Sequence, residues 1–220
     1  MTRKTIGALV ALSLAVPCMA NASAIYQNPW DQNASDAGAF SQASQRLAGE
    51  FVLAANAGAD RATWYGTMFS SDPLNTGDTW SFLLTFYGTS AGLPGAVVAS
   101  ATVTASVTDT GIDVAGERAY LFDAAFSDVA LAAGISYWFS AENTGDQNTF
   151  RWTRATAGLG SAVSFSSNPW TTLVQSSRTP VNFTLFDNAA SVPEPASMVL
   201  LGIGLAGLGF SRRNKEQPPG

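Results

Sequence analysis

The stretch TWSFLLTFY at residues 79–87 restricts the fold more than any other. Successive side chains of an extended chain point to opposite faces, so Trp80, Phe82, Leu84 and Phe86 share one side while Ser81, Leu83, Thr85 and Tyr87 share the other. A helix would wrap these apolar groups around its whole circumference. Aromatic and β-branched residues also fit a pleated, half-buried surface. The stretch is therefore a strand, and its Trp80 face is expected in a core.

The same two-residue period recurs along the chain, at residues 50–55, 62–69, 96–108, 117–126, 135–142 and 149–156 and more weakly at 162–165, 170–175 and 181–186. Turn chemistry separates these runs: Asn75-Thr76-Gly77-Asp78, the segment GTSAGLPG at 88–95, and Asn143-Thr144-Gly145-Asp146. Within 135–142, Tyr137 and Phe139 face with Ile135 and Trp138 points the other way. About nine or ten short strands with no long helix predict an all-β fold, an antiparallel β-sandwich of jelly-roll-like form. Residues 49–188 are expected to form it. Residues 25–48 lack a sustained apolar period and are expected as an N-terminal loop, or a short helix around 39–47.

The two ends differ in kind from this domain. Residues 1–24 have Arg3 and Lys4, an apolar stretch from Ile6 to Val16, and then small residues, the layout of a signal peptide forming an N-terminal signal helix. Cleavage is expected after Ala24, with Ala22 as the alternative, since both close an A-x-A pattern. At the other end, Val192-Pro193-Glu194-Pro195 lies in a linker at 189–195. Two prolines around a glutamate cannot sit inside a helix or central strand. An apolar, glycine-rich run follows at 196–211, expected as a transmembrane helix although it is shorter than the roughly 20 residues of a comfortable span. It stops at Arg212, Arg213 and Lys215 in a basic cytoplasmic tail, 212–220.

The combination of VPEP, a glycine-rich apolar run and a basic stop resembles the PEP-CTERM sorting signal of Gram-negative bacterial envelope proteins. The resemblance covers about residues 192–215. It implies export through the inner membrane, a membrane-anchored precursor, recognition by an exosortase-type processing enzyme, and release to the cell envelope or outside. Between the ends, about 49–187 resembles a β-sandwich module found among bacterial exported proteins with sorting tails, which implies a fold and no activity.

Composition narrows the chemistry further. Cys18 is the only cysteine and histidine is absent, so the mature chain has no disulfide framework, no thiolate site and no serine–histidine triad. Between the ends, six arginines against fifteen acidic residues leave a net charge of −9. A lysine-free acidic domain has no basic face for nucleic acid or anionic lipid. No cofactor, metal site or catalytic residue is expected. The loops at 72–78 and 143–148 offer oxygen ligands of the kind calcium takes, but neither has a known calcium spacing.

Three functions fit. The favoured one is a non-catalytic envelope or extracellular-matrix protein. The alternative is a carbohydrate-binding module acting on exopolysaccharide, with Trp138, Trp152, Trp30 and Trp170 as candidate sugar-stacking residues; Trp64 and Trp80 are expected in the core. The third, a glycoside-acting enzyme, needs two carboxylates across a cleft, and only Glu50, Glu117, Glu142 and Asp123 offer themselves, with no motif pairing them.

Overall fold

The computed structural model describes residues 22–187 apart from 36–37, 42–44, 69–73, 75, 146–149, 157, 166–168 and 173–179. The apolar run and motif of the C-terminal tail, and the signal segment up to Asn21, lie outside the described residues. Among those described, no helix is long and apolar enough to cross a membrane.

Alternation of apolar and polar side chains is realised, among the described residues, as twelve strands: β1 (Ser23–Asn28), β2 (Ala39–Phe40), β3 (Gln45–Val52), β4 (Ala57–Met68), β5 (Thr79–Ser90), β6 (Leu93–Val114), β7 (Glu117–Leu131), β8 (Ser136–Asn143), β9 (Phe150–Trp152), β10 (Ser161–Phe165), β11 (Thr171–Thr172) and β12 (Phe183–Asp187). The fold is all-β, and the pairings are antiparallel. On β5, Phe82, Leu84 and Phe86 are buried and Trp80 packs against the same core, as the sequence predicts.

The expected sandwich of two sheets is replaced by one continuous sheet in the order β1-β12-β4-β7-β6-β5-β8-β3-β10-β11, with β9 on β4 and β2 on β9. The cause is β6, a strand of 22 residues. Its first part pairs with β5, from Ser90↔Leu93 to Thr79↔Ser106, and its second pairs with β7, from Ser106↔Asp123 to Val114↔Glu117. Ser106 touches both partners. Ala99, Ala101 and Ala105 lie on the inward side of β6, and its ladder with β7 is irregular between Asp109 and Asp113.

The sheet therefore curls into a half-barrel whose two halves close on one core. Phe183 of β12 lies 5.1 Å from Phe139 of β8 and 5.9 Å from Phe51 of β3, ring centre to ring centre, although these strands are far apart in the strand order. A second group, Trp64, Phe82, Phe122 and Phe150, meets mostly edge to face at 4.9–5.9 Å. Such pairs add about 0.5–1.5 kcal/mol each beyond the area they bury.

The region expected as a loop or short helix carries the strands β1, β2 and β3, with turn backbone at 31–35 between the first two. β1 pairs with β12, and β3 pairs with both β8 and β10. These segments lack a strong apolar period because β1 is a half-exposed edge strand, while β3 is buried on both faces and reads Leu47, Ala48, Gly49 and Phe51 without clean alternation. Ala24 lies within β1, opposite Phe186, whereas Ala22 precedes the strand.

Candidate functional site

The four candidate tryptophans are divided by what covers them. Trp152, on β9, is 1% exposed and faces the core, with its Nε1–H donated to the Asn182 carbonyl at 2.6 Å. Trp138 does face away from Tyr137 and Phe139, yet it too is 1% exposed. It packs with Ala48, Tyr87 and Ala162 on the outer face, and its Nε1–H reaches Thr89 Oγ1 at 3.1 Å. Neither presents a ring for a sugar, which corrects both expectations. Alternation gives the direction of a side chain and says nothing of a neighbouring strand that covers it.

Trp170 and Trp30 are half-buried and lie on the outer faces of opposite halves of the sheet. Trp170 is held edge-on by Tyr87 at 5.4 Å, and the Arg46 guanidinium sits 5.5 Å from its ring centre. That indole is thus engaged by a ring and by a cation of the protein itself. Trp30 instead stacks in parallel on Tyr65, centres 4.2 Å apart and planes 13° from parallel.

The Trp30–Tyr65 pair walls a cavity of about 300 Å³ over β1, β12 and β4. Tyr65 points outward because Trp64, beside it on β4, points in. A polar row runs across the floor, Gln27 opposite Thr184 and Thr184 opposite Thr63. Asn28 and Asn182 complete it. Asn28 donates from Nδ2 to the Val181 carbonyl at 2.6 Å, and Asn182 fastens the backbone of Tyr65. The sequence period identifies Tyr65 as outward-facing; nothing in it singles out Asn28 or Asn182.

The four carboxylates considered for acid–base chemistry each have a partner. Arg61 grips Asp123 through two bonds of 2.8 and 2.6 Å. Glu117 accepts from Arg151 and from Thr67 Oγ1. Glu50 accepts from Ser136. Glu142 lies 4.0 Å from Arg46, and burial raises its carboxyl above the ordinary value while that arginine pulls the other way. Of the two loops offering oxygen ligands, much lies outside the described residues. Among the described residues no three acidic, histidine or cysteine side chains gather as a metal would require.

Comparison with known families decides the tail. Residues 191–213 match the family model of the PEP-CTERM protein-sorting motif. The chain carries a PEP-CTERM sorting signal. The match takes in Val192, Pro193, Glu194, Pro195, Arg212 and Arg213, and stops short of Lys215. The PEP-CTERM motif implies an exported protein, made as a membrane-anchored precursor and sorted by an exosortase-type processing enzyme. No curated protein and no solved structure matches the chain.

Proposed function

We propose that the protein is an exported, non-catalytic component of the cell envelope or extracellular matrix of a Gram-negative bacterium, its β-domain delivered by the PEP-CTERM tail. The match at 191–213, four residues past the last strand, carries this reading. Residues 1–24 act as the signal peptide, 196–211 as the temporary membrane anchor and 212–220 as its cytoplasmic stop. The engagement of Asp123, Glu117, Glu50 and Glu142 supports a domain whose charges hold strands together rather than perform chemistry.

The test is mass spectrometry of the protein from its native host, alongside a variant with Pro193, Glu194 and Pro195 all changed to Ala. The wild-type chain is expected in the envelope or medium without peptides containing Arg213, and the variant is expected to keep them in the membrane fraction. Full-length wild-type chain in the cytoplasm would overturn the reading. Release of reducing ends from neutral or acidic glycans by the purified chain would overturn its non-catalytic part.

A further inference from the structure

The cavity beside Trp30 has a chemistry that the sorting signal does not account for. Among the described residues its lining contains no carboxylate and no guanidinium: the polar groups are the amides of Gln27, Asn28 and Asn182 and the hydroxyls of Thr63, Thr184 and Tyr65. The Arg61 guanidinium, 5.0 Å over the ring of the lining residue Phe186, is paired with Asp123. Against this neutral rim stands the aromatic pair, each ring half-buried.

Such a site suits one class of ligand. A pyranose has an apolar face of C–H groups, which lies well on an indole or phenol, and an edge of hydroxyls, which neutral amides and hydroxyls bind without a charge to desolvate. A nucleotide would stack as well, but its phosphate needs basic groups that this lining lacks. The volume, about 300 Å³, is at the small end of ligand pockets and suits one or two rings of a longer chain.

Two further details fit. Among the described residues four buried side-chain polar atoms lack a hydrogen-bond partner, and two of them, the Asn28 Oδ1 acceptor and the Trp30 Nε1–H donor, belong to this lining. Unmet buried groups are costly, at roughly 1–3 kcal/mol each. In addition, Gly158 has a φ of +141°, and a β-carbon there would strike the Asn28 amide, so glycine at this point is what leaves Asn28 its place.

We propose that this cavity binds one ring of a neutral polysaccharide, Trp30 and Tyr65 supplying the stacking wall and Gln27, Thr63 and Thr184 meeting the hydroxyls. The inference goes beyond the sorting reading and stands apart from it, since location and C-terminal processing do not depend on any ligand.

The test uses the purified full chain and, as probes, neutral glucan hexasaccharides (β-1,4, β-1,3 and α-1,4 linked) with alginate as the acidic comparison, followed by calorimetry and tryptophan fluorescence. At least one neutral probe is expected to bind, alginate is not, and Trp30→Ala should weaken the neutral probe roughly tenfold or more, about 1.4 kcal/mol. Trp170→Ala should leave binding unchanged. Should Trp30→Ala fail to fold, the pair Thr63→Val and Thr184→Val removes hydroxyls while keeping the wall and should also weaken binding. Failure of every neutral probe, preference for alginate, or loss of binding on changing Trp170 rather than Trp30 would each overturn it.

Discussion

The side chain of Asn182 bonds both main-chain groups of Tyr65, its Oδ1 accepting from the Tyr65 N–H at 2.7 Å and its Nδ2 donating to the Tyr65 carbonyl at 3.1 Å. This is the bonding that a neighbouring strand would supply. On that edge of β4, residues 61–63 pair with β12 and residues 66–68 pair with β9, so Tyr65 falls at the junction and the amide bridges it. The same Nδ2 reaches the Thr153 carbonyl at 2.8 Å and its hydroxyl at 2.7 Å, tying in the segment after β9.

Replacing Asn182 by Ala should therefore cost more than one hydrogen bond. Four bonds from one side chain would go, and the Tyr65 N–H would be left without its acceptor at roughly 1–3 kcal/mol, while the Thr153 carbonyl keeps the Asn182 N–H and the Tyr65 carbonyl keeps the Thr153 N–H and hydroxyl. Urea unfolding should show a loss of about 2–4 kcal/mol with little change in the slope. Asn182→Asp should fare no better, because a carboxylate cannot donate.

Gly66 is expected to tolerate no side chain. It pairs with Trp152, and a β-carbon at this position would meet the Phe150 ring and the Arg151 carbonyl. Gly66→Ala should destabilise by roughly 1–3 kcal/mol, the usual cost of overfilling a packed site. Gly88 offers the contrast, since its β-carbon would meet only the Ala96 carbonyl at an ordinary 3.9 Å. Gly88→Ala should shift the thermal midpoint by no more than a degree or two in either direction.

Glu142 gives a pH dependence of defined sign. Burial holds its carboxyl above the ordinary value near 4.5, with Arg46 offsetting part of the rise. The folded chain then binds this proton more tightly than the unfolded chain, so stability falls as pH rises from the unfolded value through the folded one. Glu142→Gln should remove that fall. Its thermal midpoint should exceed that of the wild type at pH 7 and converge with it near pH 4, as followed by circular dichroism.

Trimming of the first strand should be measurable. Ser23 pairs with Asp187 and Ala24 with Phe186. A chain beginning at Ser23 keeps both pairs and one beginning at Ile25 loses them. The longer chain should be more stable by about 1 kcal/mol, in line with the net contribution of an ordinary hydrogen bond. A shared urea midpoint would show that the ladder at 23–24 contributes nothing.

Much of the strand content was legible because the first part of β5 and the central part of β4 bury mainly one face, so alternation at Phe82 and Leu84, or at Ala62 and Trp64, maps directly onto the core, whereas β8 is buried on both faces and its alternation gives direction alone. Strand order was less accessible. Nothing local in β6 states that it leaves β5 for β7 at Ser106, and that exchange makes one curled sheet where two were expected. The exposed edge strand β1 has no apolar stripe to announce it. For the site, the period along 57–68 places Tyr65 outward, but its stacking on Trp30 joins residues 35 apart in sequence, and the burial of Trp138 depends on strands that only the folded chain brings over it.

The pairing of β1 with β12 also sets a clock. Residues 183–187 close the ladder that residues 23–28 begin, so a chain crossing a membrane N-terminus first holds its opening strand unpartnered until nearly the whole domain has emerged. The strand that ends this wait is the last among the described residues, and the PEP-CTERM match starts at residue 191. Completion of the sheet and arrival of the sorting signal are thus almost the same event, and a chain whose tail has come into reach of its processing enzyme is one whose fold has just become able to finish.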